Sequence, residues 1–534
     1  MIEARFTIFL ILLAVLAGTA LLARRTNTAP AIGLLLAGIA LAYVPAMPAL
    51  ELPPDLVLLL VLPPLIYSAS VAMSWREFRF NLRVIFMLAV GCVIFTAFMV
   101  AAATHYLIGL PWSVGFLLGA IVAPPDVVAP LAIARKLGLP RRILVVLEGE
   151  GLANDATALI LYRFAVAAIA TGMFSLPVAT GTFFAIVACE IAFGIAVGWV
   201  SLRARHHARD PQIEITLSLI TPYIAYWIPE HFGGSGVIAT VACGLYVSWN
   251  GPLLISAATR LQGIFFWDLM IYLIEGMLFL LTGFQLRSLL EKSKAFPLAD
   301  ILSATGIVIL VVIVARFAWV YPATYVPRLL SKRLRERDPS PSWRTVFVIA
   351  FTGVRGAVSL AAALALPYTL ANGAAFPYRD LIVFVTFSLI LVTLLGTGLA
   401  LPPLVRALGV ARDGASEHRA EQEAELVARR DALAAALRSL ETMTDDPKMS
   451  EEVLRLLRAR HETRSSQLPE STAAHETTAL GIELTRDLIG IERKCIHTLL
   501  RNGSITDEAR RRIERDLDLE EAGLANREHR KLPL

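Results

Sequence analysis

Residues 119–134 read GAIVAPPDVVAPLAIA, an apolar run interrupted by Pro124, Pro125 and Asp126. Two adjacent prolines remove amide donors and clash with the preceding turn, so a helix through this run must break just before the aspartate. The surrounding stretch, 112–134, is long enough to cross a hydrocarbon core of about 30 Å. At a rise of 1.5 Å per residue, Asp126 lies about 4–5 Å from its midpoint. A charged group at that depth costs at least a few kcal/mol and needs a partner, a water-filled cavity or a function.

Two further stretches bring charge to the same depth. Residues 147–163 read LEGEGLANDATALILYR, and Asp155 falls about 3 Å from the middle of its span. Asn154 beside it can act as a neutral donor or acceptor. Glu150 lies about 10 Å from the midpoint. It is better placed to pair with an arginine such as Arg355 than to hold a substrate. Residues 349–367 read IAFTGVRGAVSLAAALALP, with Arg355 near the middle of a span and Gly353 and Gly356 on either side of it. Broken helices expose backbone carbonyls and amide dipoles that can coordinate a cation or offset a neighbouring charge. Interrupted helices placed second in each of two triplets of spans are the pattern of an inverted repeat with a midplane site.

The chain as a whole supports a membrane reading. Of its 534 residues 56% are hydrophobic and 17% charged, where a soluble chain has about a quarter charged. The charge is also uneven: residues 411–534 carry about 46 of the 93 charged side chains. A membrane domain, 1–410, is therefore followed by a charged tail, 411–534. Thirteen spans are expected near 5–23, 31–50, 56–73, 84–108, 112–134, 143–171, 177–201, 213–230, 233–249, 264–287, 301–323, 345–367 and 381–405. Arg24/Arg25, Arg76/Arg79/Arg83, Arg135/Lys136/Arg141/Arg142, Arg203/Arg205/Arg209 and the run Arg328 to Arg344 then fall on one side. Glu51 and Asp55, a nearly uncharged 172–176 turn and a mixed 287–300 loop fall on the other. The Lys/Arg excess makes the first side cytoplasmic, with the amino terminus outside and the tail inside. The first span has its arginines after the apolar run, which argues against a cleaved signal peptide.

Several other classes are set aside. Four scattered cysteines form no CxxC, and the nine histidines show no ligand spacing, so neither a resident metal nor a cofactor is expected. No basic stripe interleaved with aromatics points to nucleic acid. Gly233-Gly234-Ser235-Gly236 has the form of an intramembrane protease motif, but His105 and His231 lie at span ends, away from membrane depth where a base is needed. The favoured reading there is a closely packed helix start. For Glu190, Glu275 and Arg316, all within spans, a buried pair, a vestibule lining and a subunit interface stay open. The tail reads as helices from about 417 and at 449–465, 471–501 and 505–526. Breaks are expected at Asp446-Pro447, Gln467-Leu468-Pro469 and Asn502-Gly503, with Ser504 or Thr506 as the last cap.

The segments APPDVVAPLAIARKLGLPRRI (123–143), LEGEGLANDATALILYR and VRGAVSLAAALALP resemble the bacterial monovalent cation–proton antiporters of the sodium/proton exchanger type, NhaP-like. LPPLIYSA, EITLSLITPYIAY and GGSGVIA are similar to the same family. The resemblance implies an all-α polytopic fold of about thirteen helices. Its two broken helices cross in a core drawn from 84–171 and 301–405, beside a dimerisation scaffold drawn from 5–73 and 177–287. It implies a homodimer in the bacterial inner membrane. It assigns ion and proton binding to Asp155 with Asn154 as companion and Asp126 on the unwound segment, all three touching a transient cation. It assigns a structural bridge to Glu150 and Arg355. The chain departs from the family with Pro125 in place of a threonine, Gly151 in place of a serine and Ser68 in place of a glutamate found in some members. Each departure removes a side-chain oxygen, so Na⁺, K⁺ and Li⁺ all stay open.

The expected mechanism is competition. Burial disfavours the charged form of a carboxylate, so it favourably holds a proton or a monovalent cation but not both. Alternate exposure of such a site gives obligatory exchange, one for one. A membrane sensor with the tail as output is the rival from another class.

Overall fold

The computed structural model describes residues 2–26, 28–45, 54–172, 175–292, 297–370, 373–442, 451–466, 475–502 and 507–529. It divides into two compact units, Met1–Val410 and Ala411–Leu534. Glu51, the caps Ser504 and Thr506, and the breaks at Asp446-Pro447 and Gln467-Leu468-Pro469 lie outside the described residues. So do parts of the 172–176 turn and the 287–300 loop.

The first unit is helical throughout its named elements. They are α1 (Ile2–Thr26), α2 (Pro30–Ala42), α3 (Pro54–Leu56), α4 (Leu62–Ala72), α5 (Trp75–Phe86), α6 (Val93–Ile108), α7 (Trp112–Val122), α8 (Val128–Lys136), α9 (Arg141–Thr171) and α10 (Leu176–Ala208). They continue with α11 (Pro211–His231), α12 (Val237–Leu254), α13 (Ala257–Phe284), α14 (Leu286–Lys292), α15 (Leu298–Leu330), α16 (Lys332–Arg337), α17 (Trp343–Phe351), α18 (Ala357–Leu364) and α19 (Arg379–Leu408). Wide π turns at Val57–Val61 and Met87–Cys92 join α3 to α4 and α5 to α6. Eight of these segments are long and apolar enough to cross a membrane, and Pro30–Ala42, Val57–Ala72 and Trp112–Val122 are shorter apolar helices. Phe184, Trp199, Phe265 and Leu310 are exposed on the outside, as lipid-facing side chains are.

The helix boundaries follow local chemistry. Asp210 accepts the amides of Gln212 and Ile213 ahead of α11, and Ser342 accepts that of Thr345 ahead of α17. Gly109, Gly172 and Gly409 close α6, α9 and α19 in the left-handed region. Some boundaries differ from the sequence reading: α10 runs on past Arg203 and Arg205 to Ala208. The Arg76, Arg79, Arg83 segment is helix, not loop, and runs on into the expected span at 84–108. Ser74 accepts the Glu77 amide as the N-cap, and Phe78, Asn81 and Ile85 turn one face inward. That face has helical period, but the charged residues on the other face break the uniformly apolar run that marks a span.

The core encloses the two interrupted helices. Leu117 and Ile121 of α7, Val308 and Val312 of α15, Leu360 and Ala363 of α18, and Ile382 and Leu389 of α19 are buried together. A second cluster sets Leu16, Leu35 and Phe279 from α1, α2 and α13 against Ala129, Val354 and Leu394. The helices of the second unit are α20 (Val410–Thr442), whose first residue is the last of the first unit, α21 (Glu451–Ser466), α22 (His475–Arg501) and α23 (Asp507–His529). Ile489, Ile496 and Leu517 join α22 to α23, and Arg493 pairs with Asp518 at 2.5 Å and Glu521 at 2.6 Å.

Helices α2 and α13 touch backbone to backbone through a reciprocal glycine pair. A Cβ on Gly38 would stand 2.0 Å from the Leu280 carbonyl oxygen, and one on Gly283 would stand 2.1 Å from that of Leu35. Gly283→Val must therefore push the two helices apart. We expect it to lower the detergent melting temperature by several degrees, with Gly306→Ala, which meets nothing within 4 Å, as the neutral control. Thermal denaturation followed by size-exclusion chromatography measures both.

Candidate ion-binding site

The two helices break where their sequences lead one to expect. Helix α7 ends at Val122, and α8 starts at Val128, leaving Ala123, Pro124, Pro125, Asp126 and Val127 between them. Helix α17 ends at Phe351, and α18 starts at Ala357, leaving Thr352, Gly353, Val354, Arg355 and Gly356. The two unwound segments meet. The Asp126 amide donates to the Val354 carbonyl at 2.6 Å. The approach is so close that a Cβ on Gly356 would stand 2.0 Å from Asp126 Oδ2. Asp126 also accepts on Oδ1, at 2.9 Å, the amide of Val128, the first residue of α8.

Unwinding leaves the last carbonyls of each leading half-helix without amide partners, and these carry the negative end of the helix dipole. Arginines serve both ends. Arg355 donates from Nε to Val122 O at 2.8 Å and from Nη2 to Ala123 O at 3.1 Å, and its Nη1 reaches Gly353 O. Arg316, from α15, donates from Nε to Ala350 O at 3.2 Å and from Nη2 to Ile349 O at 3.1 Å. The same guanidinium grips Glu150 with two bonds, Nη1–Oε1 at 2.6 Å and Nη2–Oε2 at 2.9 Å. Side-chain exposure is 3% for Arg316 and 0% for Glu150.

This corrects the expected bridge: Glu150 pairs with Arg316, not with Arg355. The physical reason is that the Arg355 guanidinium is spent on the carbonyls of α7 and of its own break. Arg316 was visible in the sequence as a charge within a span. What was missed is that each break needs its own donor, so one arginine could not serve both.

Asp155 differs from its neighbours. It is half-buried on α9, and among the described residues its carboxylate has no hydrogen-bond or ion-pair partner. Asn154 is fully buried and donates from Nδ2 to Pro125 O at 2.6 Å, while its Oδ1 is buried with no partner. Asp126 is near enough to Asp155 for the two carboxylates to repel, and Glu275 on α13 is within electrostatic reach of Asp126. The crossing thus gathers acceptor oxygens from Asp155, Asn154 and Asp126 around unwound backbone. Oxygen donors of this kind suit a hard monovalent cation or a proton, and among the described residues no His/Cys/Asp/Glu group fits a tightly held metal ion. The Gly151 departure has a packing cause, because a Cβ there would stand 2.4 Å from Val127 Cγ2.

The family model of the transmembrane sodium/hydrogen exchanger matches residues 11–407. The chain belongs to the sodium/hydrogen exchanger family. It is 34% identical over 525 residues to a protein of Mycobacterium tuberculosis named an uncharacterized Na(+)/H(+) exchanger, covering 96% of this chain and 94% of that one. It is 31% identical to the sodium, potassium, lithium and rubidium/H(+) antiporter of Bacillus pumilus, over 75% of this chain and 61% of the relative. It is 30% identical to the Na(+)/H(+) antiporter ApNhaP of Aphanothece halophytica, over 83% and 81%. The fold is similar to that of the sodium proton antiporter MjNhaP1 from Methanocaldococcus jannaschii. The TM-score is 0.57 at 16% identity, over 76% of this chain and 99% of that structure.

The exchanger's GGSG segment is a braced helix start. Glu190, from α10, accepts the Ser235 amide at 2.5 Å, the Ser235 hydroxyl at 3.2 Å and the Gly236 amide at 3.2 Å. The serine hydroxyl is thereby held by a carboxylate at the start of α12.

Removing one partner of a buried ion pair leaves an uncompensated charge and costs about 3–5 kcal/mol. Glu150→Gln should therefore lower the melting temperature sharply. Arg316→Lys should not preserve stability, because one ammonium cannot grip a carboxylate and two carbonyls in a fork. Detergent thermal stability of the purified variants checks both.

Proposed function

We propose that this chain is a secondary antiporter that exchanges a monovalent cation, Na⁺ first, for H⁺ through competition at Asp155. The observation that carries the reading is the contrast among the charges at the helix crossing. Arg355, Arg316 and Glu150 are fully engaged in holding the breaks, whereas the Asp155 carboxylate stands without a partner beside the unpaired Asn154 oxygen. A carboxylate left open in this way can take up a proton from one side and a cation from the other. Membership of the exchanger family and the printed activity of ApNhaP support the same reading.

In this proposal Asp155 binds ion and proton, Asn154 Oδ1 and Asp126 complete the oxygen set, and Gly353, Gly356, Pro124 and Pro125 keep the backbone open around them. Thirteen spans form two inverted repeats, with the amino terminus outside and the tail in the cytoplasm. The 84–171 and 301–405 helices move as a core against the 5–73 and 177–287 scaffold, in a homodimer. One site carboxylate exchanging one charge for one charge makes the cycle electroneutral. A K⁺-accepting exchanger is the second reading. It is favoured by the similarity to the Bacillus pumilus antiporter and by the loss of side-chain oxygens at Pro125 and Gly151.

Asp155→Asn should abolish Na⁺-, Li⁺- and K⁺-induced proton flux in everted vesicles, measured by quenching of a pH-sensitive dye. Intact flux in that variant would sink the proposal. In wild type the apparent KM for cation should rise as pH falls on the cation side, because protons occupy the shared carboxylate. For an electroneutral cycle, clamping the membrane potential should leave the initial exchange rate unchanged.

A further inference from the structure

A second ion pair, Arg163 with Glu230, has no part in the site described above. Arg163 lies on α9, eight residues beyond Asp155 and so about 12 Å along the helix axis. Glu230 lies in the last turn of α11, and its Oε1 takes a bond from Arg163 Nη2. Four residues back along each helix, Leu159 and Tyr226 are buried in one cluster with Leu152, Ala156 and Val237. Four-residue steps keep side chains on one helix face. On the side of Asp155 toward which α9 runs, the apolar cluster that contains Leu159 and Tyr226 therefore comes first, and the ion pair between α9 and α11 lies beyond it.

Three features mark this ion pair as separable rather than permanent. The Arg163 and Glu230 side chains are 32% and 29% exposed, unlike the sealed Glu150–Arg316 pair, and part-exposed pairs add little stability. Glu230 Oε2 is buried without a partner, so the carboxylate is held by one oxygen only. Helix α11 contains Pro222 at its middle and Pro229 beside Glu230, and each deletes a ladder hydrogen bond. Among the described residues it is also the one ion pair that joins the 84–171 helices to the 177–287 helices.

We propose that Arg163 and Glu230, one turn beyond Leu159 and Tyr226, form a gate that must part for Asp155 to open toward the end of α9. The proposal rests on the exchange reading given above. On the opposite side of Asp155, Glu148 pairs with Arg135 of α8, so that pair joins two neighbouring core helices and does not bridge to the scaffold.

Arg163→Cys with Glu230→Cys tests it, in a background with Cys92, Cys189, Cys243 and Cys495 replaced. Oxidation with copper phenanthroline should cross-link the pair and cut cation–proton exchange at least tenfold, with recovery on reduction. The single-cysteine proteins should not respond to oxidant. Exchange that survives cross-linking overturns the gate, and failure of the two cysteines to cross-link overturns the contact beneath it. A second measurement needs no transport. In protein carrying Asp155→Cys, adding Glu230→Gln should raise labelling by a membrane-impermeant methanethiosulfonate severalfold from one membrane side only, compared in everted and right-side-out vesicles. Unchanged labelling from both sides overturns the proposal. Wild type assayed in the same vesicles separates the two ideas, because absent exchange there defeats the function while the labelling rates still decide the gate.

Discussion

An unwound helix inside a bilayer has carbonyls with nowhere to go, and everything at this crossing follows from that constraint. Water is not available to satisfy them, so the protein must bring donors of its own. Arg355 serves the end of α7 and Arg316 the end of α17, each with two contacts to consecutive carbonyls. Only guanidinium has the planar array of donors for this, plus a charge that suits the negative end of a helix. Glu150 then balances Arg316, which would otherwise be a bare charge in the core. Three of the buried ionisable groups are thus architectural, and the proposed site is what they leave unpaired.

The breaks were legible because their causes are local. Pro124 and Pro125 forbid a continuous helix whatever surrounds them, and Gly353 and Gly356 flag a backbone that must be approached closely. Asp155 stood out by its depth in a span, and Asn154 by its place beside it. The partner of Glu150 was not, since it depends on where α15 lies against α17, and no spacing within one helix encodes that. Arg316 and Arg355 are equally apt residues at similar depth, and only three-dimensional placement tells them apart. The same limit applies to Glu190: its position in a span was plain, but its attachment to Ser235 and Gly236 needs the packing of α10 on α12.

The departures from the family pattern also become physical. Gly151 is where it is because Val127 fills the space a side chain would need. Pro125 cannot offer a hydroxyl but presents its carbonyl to Asn154, which fixes the amide so that Oδ1 is the end left open.

The pairing of Glu150 with Arg316 has a consequence for leakage. Counted at formal charge, Arg355, Arg316, Glu150, Asp126 and Asp155 sum to about −1 at the crossing, and one bound proton or monovalent cation brings the sum to zero. In the proposed cycle the loaded core is neutral in either form and the empty core is not. Moving net charge through a medium of low dielectric is expensive. An unloaded carrier would therefore be held back by its own electrostatics, and the toll on empty return is what keeps the two ion flows tied together.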